Sequence, residues 1–322
     1  MVMNAEVLLK SLLSQLRRRI PAGSNLAGLL SDTLHIGKEA VYRRLRGEVP
    51  FSFYEASVMA QKLGVSLDGV LGVATPGHAL LHLDLMRFES PREADYHEYL
   101  KTLNFLERIA EMPSAEMGCC ANVVPVTFMI KYRSLAEFNV FKWMYQFESI
   151  DNVKPLHEMN YPAECDDLCR NIVAAHRQIP SAIYIFDSMM FSRLVGQVAY
   201  FTGVNLIRPE DRERIRTDLL LLIDEMEYIA AKGVFETGKK VQLYVSHFDL
   251  EATYSYYEAG EESVSLIRFF SLDSVKTRDA VIFAEMKNWL SSLRRTSVQI
   301  SESGEMQRVQ YFAAQRELIR TL

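Results

Sequence analysis

Residues 40–47, Ala40-Val41-Tyr42-Arg43-Arg44-Leu45-Arg46-Gly47, decide how the first part of this chain is read. Val41 and Leu45 stand four apart and share an inward helical face, which leaves Lys38, Glu39, Tyr42, Arg43 and Arg46 on the outer one. Gly47 ends the helix, because glycine enters the left-handed region without steric cost. Upstream, Leu26, Leu29 and Leu30 mark a helix with Ser24 as its expected N-cap, and Leu34-His35-Ile36-Gly37 breaks the pattern between the two. Downstream, Ser52-Phe53-Tyr54-Glu55 reads as a capping box. It opens a helix with the apolar stripe Phe53, Ala56, Met59, Ala60 and Leu63, closed by Gly64. A short helix capped by Ser66 runs through Leu71, and a longer one over residues 5–19 precedes the set. Five compact helices in about 70 residues can bury a small core of their own.

The run from Leu34 to Gly47, the capped helix after it, and Leu63-Gly64-Val65-Ser66-Leu67 together resemble the Cro/C1-type (XRE-like) helix-turn-helix family over about a fifth of the chain. The resemblance implies a bundle of about five helices whose third helix reads the major groove of DNA while the second crosses the backbone. Two positions depart from the family pattern. His35 stands where glycine is frequent, so a histidine is expected in the left-handed region. Gly37 stands where serine or threonine usually caps the recognition helix. Carried across, Lys38, Glu39, Tyr42 and Arg43 face base edges; lysine or arginine suits guanine O6 and N7, and glutamate accepts from cytosine N4. Arg44 and Arg46 are implied to meet phosphates, which set register. Arg17, Arg18 and Arg19 form a second basic run that either touches the DNA backbone or solvates a helix end. One such helix touches few bases, and two-fold operators match two-fold proteins, so a homodimer on double-stranded DNA is expected.

Charge follows the same division. Residues 1–72 hold nine Lys/Arg against six Asp/Glu, a net +3, whereas the whole chain is −5 and the remainder therefore −8. A basic head on an acidic body is the footprint of a DNA reader with a partner domain. At 322 residues the chain has room for two or three domains, and 49% hydrophobic with 24% charged residues is ordinary for a soluble globular protein. No apolar run approaches the roughly 18 residues needed to span a bilayer, and the N-terminus lacks the order of a signal peptide. Four cysteines, Cys119, Cys120, Cys165 and Cys169, make no disulfide framework. A cytoplasmic protein with no membrane partner is expected.

After a linker at 73–78, residues 79–322 read as an α+β domain with a partly antiparallel sheet and a candidate sub-boundary near 205–235. Helical patterns cover 78–111 (divided by Pro91), 134–147, 165–177, 189–201, 209–232, 279–293 and 304–322. Val123 to Tyr132 reads as a strand with Pro125 at an edge or bulge, and Ala182 to Phe186 as a buried strand. Val241–Val245, Thr253–Tyr256 and Ser263–Leu266 alternate and predict an antiparallel meander with turns near Asp249 and Gly260.

Ile215, Leu219, Leu222, Met226 and Ile229 are spaced like a heptad seam, but two heptads favour a core helix over a dimer coil. Cys165 and Cys169, with His157 and His176 nearby in sequence, lack zinc-finger spacing, and His78 and His82 carry no stronger signal. The aromatics between Phe128 and Phe147 and the tyrosines 254, 256 and 257 suit a packed core first and a small-molecule pocket second. No phosphate-binding glycine loop, nucleophile elbow or His-Glu-x-x-His is present, so no catalysis and no cofactor are expected. The expectation is a transcriptional regulator whose C-terminal domain dimerises or senses a small-molecule or protein effector. The alternative is a non-catalytic interaction module whose helical head binds a protein.

Overall fold

The computed structural model describes residues 5–19, 25–65, 67–71, 82–84, 95–147, 154–159, 161–269 and 273–322. The chain divides into two compact units, Met1–Leu80 and Leu81–Leu322. The expected linker at 73–78 and the caps Ser24 and Ser66 lie outside the described residues.

In the first unit the described helices are α1 (Ala5–Arg19), α2 (Leu26–Leu34), α3 (Lys38–Leu45), α4 (Phe53–Leu63) and α5 (Leu67–Leu71). Their apolar faces meet in one cluster: Leu12 and Leu16, Ala27 and Leu30, Val41, Met59, Val65 and Val70. Asn25, and not the expected Ser24, is the N-cap of α2, its side chain accepting from Gly28 N at 3.0 Å. His35 is left-handed (φ 55°, ψ 40°). Ser31 holds that turn from both sides, its carbonyl accepting from Ile36 N and its hydroxyl donating to Ile36 O at 2.7 Å. This offsets the cost of placing a residue with a Cβ in the αL region. α3 ends in a Schellman motif, with Glu48 N donating to Arg43 O and Gly47 N to Arg44 O. Gly47 sits at φ 78°, where an L side chain is strained. The capping box at Ser52 and Glu55 is formed in both directions. Phe53, expected on the apolar stripe of α4, is 82% exposed; Glu55 and Met59 are the buried residues of that helix.

The second unit is a mixed sheet between helices. Its elements are β1 (His82–Asp84), α6 (Asp95–Ala110), β2 (Glu116–Ala121), α7 (Val126–Met129), α8 (Arg133–Phe147), α9 (Glu164–His176), β3 (Ser181–Asp187), α10 (Met190–Gly203), α11 (Pro209–Lys232), β4 (Lys240–Ser246), β5 (Tyr254–Ala259), β6 (Glu262–Phe269), β7 (Asp273–Thr277), α12 (Ala280–Arg295), β8 (Val298–Gln299) and α13 (Glu305–Arg320). Among the described residues the strand order is β1-β7-β6-β5-β2-β3-β4-β8. β2, β3 and β4 are parallel neighbours and the other pairs are antiparallel. Period-two alternation sorts the side chains. Met117, Cys119, Ala182, Tyr184, Phe186, Val241 and Leu243 join a large core with α6, α8 to α11 and α13. Cys120, Ile185, Tyr244 and Tyr256 face the other way, onto Phe283, Met286 and Leu290 of α12. Gly118, opposite Tyr256 in the register, leaves room for that ring; a Cβ there would collide with it.

Helix plus sheet content is as expected, and three strand assignments are not. Val123–Tyr132 is not a strand: Pro125 N-caps α7, and the strand is the preceding β2. His82–Asp84, expected to be helical, pairs with β7. β4, β5 and β6 do not form a meander. β4 lies parallel to β3, and the chain passes over β3 and β2 before β5 pairs antiparallel with β2. Alternation identifies a strand and its buried face, not its neighbour. The segment 205–235 holds the continuous helix α11, whose Ile215, Leu219, Leu222, Met226 and Ile229 are buried in the core of this unit.

Candidate nucleic-acid interface

The interface is built on α3, whose orientation is set by one buried contact. Val41 is fully buried and Leu45 packs half-buried on the same cluster. The helical period then turns Lys38, Glu39, Arg43 and Arg46 to the surface, and Tyr42 is 42% exposed. Gly37 precedes the helix in extended geometry and supplies no side-chain cap.

Arg44 is the exception among the cations of this helix. Expected at a phosphate, it is turned inward: Nη2 lies 2.9 Å from Glu55 Oε1, Nε donates to Oε2 at 3.1 Å and Nη1 to Ala40 O at 3.1 Å. Glu55 also accepts from Ser52 N at 2.8 Å. Burial works to raise the Glu55 pKa, but the Ser52 amide and the Arg44 guanidinium outweigh it and hold the carboxyl below its ordinary value. Arg44 therefore ties α3 to α4.

The remaining charges form loose, exposed pairs. Arg46 Nε donates to Glu48 Oε1 at 2.6 Å, Arg46 Nη2 lies 3.6 Å from Glu39, and Arg43 Nε lies 3.6 Å from Glu48. Such exposed pairs contribute little to stability, so their exchange for phosphate or base partners costs little. Lys38 has no ion pair among the described residues. Phe53 and Tyr54 open α4 at 82% and 75% exposure; the sequence pattern places Phe53 on the apolar stripe and singles out neither as a surface group. Arg17 is exposed on α1; the side chains of Arg18 and Arg19 lie outside the described residues.

In the second unit the polar groups that the sequence marks out do not converge. Cys165 and Cys169 are buried thiols. Cys169 lies 3.6 Å from the Tyr161 hydroxyl, and burial pushes its pKa up to about 11. His157 meets Arg208, and His78 lies outside the described residues. His176 is fully buried beside Tyr184, and burial followed by the Arg177 charge brings its pKa down to about 3. Among the described residues no group of three His, Cys, Asp or Glu is arranged to hold a metal. At the carboxyl ends of the parallel strands, Asp187 is spent on structure, accepting from Met189 N at 2.7 Å and Leu250 N at 2.9 Å and pairing with Arg193 at 3.0 Å. Of the aromatics, Phe128, Phe138 and Phe141 are core, whereas Tyr254 packs edge-on against Trp289.

No family model, curated protein or solved structure matches this chain. Among the described residues no helix is long and apolar enough to cross a membrane.

Proposed function

We propose that the chain is a cytoplasmic, homodimeric, sequence-specific DNA-binding regulator. Its first unit is an all-α helix-turn-helix bundle of the Cro/C1 type, and the second is a regulatory and dimerisation domain without catalysis. α3 enters the major groove with Lys38, Glu39, Tyr42 and Arg43 at base edges and Arg46 at a phosphate. Arg44 leaves the contact set, because Glu55 holds it. The observation that carries this reading is the geometry of α3. A left-handed turn at His35 precedes it, Val41 anchors it, and its basic outer face is bound only by exposed ion pairs.

The test is selection from a randomised duplex pool with full-length protein and with the double variant Tyr42→Ala, Arg43→Ala. Both side chains are exposed, so the variant should melt with the parent. The expected result is an enriched two-fold symmetric motif that the variant binds at least tenfold more weakly, with an affinity that falls steeply with salt. Absence of any enriched motif at low salt, with the protein folded, overturns the reading. It leaves α3 with Phe53 and Tyr54 as a protein-binding surface.

A further inference from the structure

A cavity of about 210 Å³ lies inside the second unit, between α6, α7, α8 and the β2–β5–β6 part of the sheet. Its wall is mainly apolar, with Leu106, Met117, Ile130 and Leu266 among the lining residues. Several polar side chains also line it, three of them without a hydrogen bond among the described residues. Arg268 of β6 lines the cavity, and its guanidinium has no hydrogen bond or ion pair among the described residues. Asn139 of α8 is 9% exposed and lines the same cavity, its amide likewise without a partner among the described residues. Tyr257 of β5 makes ring contacts with Phe105 and His176, but its hydroxyl has no hydrogen bond among the described residues. Lys276 of β7 also lines the cavity and has an interaction of its own. No aspartate or glutamate is among the described lining residues.

This arrangement is costly as it stands. Burial works against the charge of Arg268 and lowers its pKa. Arginine keeps its proton in a protein, so a half-buried guanidinium with no counter-charge among the described residues favours an anionic partner. Lys142, one turn beyond Asn139 on α8, reports the same uncompensated field. Burial first, and the charge of Arg268 second, bring its ammonium down to about 8. Its own partner is the neutral amide of Gln197, at 3.0 Å. A buried amide, a phenol and a guanidinium on one cavity wall are all donors, and the planar guanidinium fork matches a carboxylate in two-point contact. One guanidinium without a counter-charge among the described residues balances one negative charge, and the apolar remainder of the wall accepts a hydrocarbon or aryl tail.

We infer that the second unit binds a small monocarboxylate with an apolar tail in this cavity, its carboxylate held by Arg268 with Asn139 and Tyr257. This gives the effector of the proposed regulator a chemical class. It rests on the cavity alone, so it stands or falls separately from the DNA reading.

The experiment is titration calorimetry and thermal melting of the full-length protein, without DNA. The probes are a straight-chain series from acetate to octanoate, benzoate, the neutral amides butyramide and benzamide, and inorganic phosphate. The expected result is saturable binding and a raised Tm for at least one carboxylate of the series. The matching amide should bind at least tenfold more weakly, and phosphate should give no shift. Two variants sharpen the test. Arg268→Met should lose at least tenfold in affinity. Asn139→Asp, nearly isosteric and hence expected to fold, puts a negative charge into the cavity and should abolish carboxylate binding while raising the ligand-free Tm. Any of three results overturns the inference: no carboxylate binds at millimolar concentration, the amides bind as well as the acids, or Asn139→Asp binds like the parent.

Discussion

Both units carry arginines in surface ion pairs, but among the described residues only the second buries arginine. In the first, Arg43 and Arg46 lie at the surface in open pairs with Glu48, and Arg44 is only partly covered where it meets Glu55. In the second, Arg177 is 1% exposed, stacked over Phe128 and Phe235, and bonded to Glu225 at 2.8 Å and Glu236 at 3.0 Å. Glu225 also takes Lys131 and, at 3.1 Å, the hydroxyl of Tyr132. The difference follows from core size. The small helical cluster has little apolar burial to offset desolvating a charge, so apart from the Arg44–Glu55 pair its described cations stay at the surface. The large core around the sheet can hold a charged network, and its chemistry faces inward.

That contrast makes the removal of Arg177 the change with the largest expected effect. Arg177→Met should cost about 3 kcal/mol, toward the low end for breaking a buried pair because Glu225 keeps Lys131. Denaturant unfolding followed by the fluorescence of Trp143 and Trp289, the chain's two tryptophans and both in the second unit, reads it directly. A loss below about 1 kcal/mol would mean that the second unit does not depend on its buried charge, and the contrast would fail.

His176 sharpens it next, through pH. Its pKa is depressed from 6.5 to about 3, so the unfolded chain takes up the proton first as pH falls. Stability from this group is fully present above pH 6.5 and is lost progressively below it, by about 2 kcal/mol at pH 5. His176→Leu should flatten that part of the pH–stability curve, and an unchanged slope would show that His176 is charged in the fold. The smallest effect belongs to the first unit. Ser52→Ala removes the hydroxyl that accepts from Glu55 N at 3.2 Å and so uncaps α4, at a cost of about 1 kcal/mol, while the backbone N–H of residue 52 still donates to the Glu55 carboxylate. Faster amide exchange in the first turn of α4 is the expected sign; unaltered exchange would mean that α4 does not depend on its cap.

Legibility differs between the units for physical reasons. The turn at His35, the stop at Gly47 and the box at Ser52 and Glu55 are local, and each is readable because its hydrogen bonds close within five residues. Phe53 and Glu55 exchange their expected places because Arg44, eleven residues before Glu55, supplies a counter-charge that a hydrophobic pattern does not register. β2 is hidden in the sequence because Glu-Met-Gly-Cys-Cys-Ala is covered on both faces and shows no alternation. Of the cavity the sequence offers only Tyr257, among the tyrosines that suit a pocket second, and neither Asn139 nor Arg268. Asn139, Tyr257 and Arg268 come from a helix and two strands that meet only because β5 crosses to pair with β2.

By itself, then, the sequence determined most of the longer helices, the stop at Gly47 and the box at Ser52 and Glu55, the outward face of α3 and the charge division between the two parts of the chain, all of which depend on bonds and side-chain spacings within a turn or two of the chain. Tertiary structure alone decided that Arg44 turns inward, that Cys120 lies opposite Tyr254, and that three donors without a hydrogen bond among the described residues line one mainly apolar cavity. Those outcomes depend on which surfaces bury each other, a choice made by the packing of the whole core and not written in any local stretch.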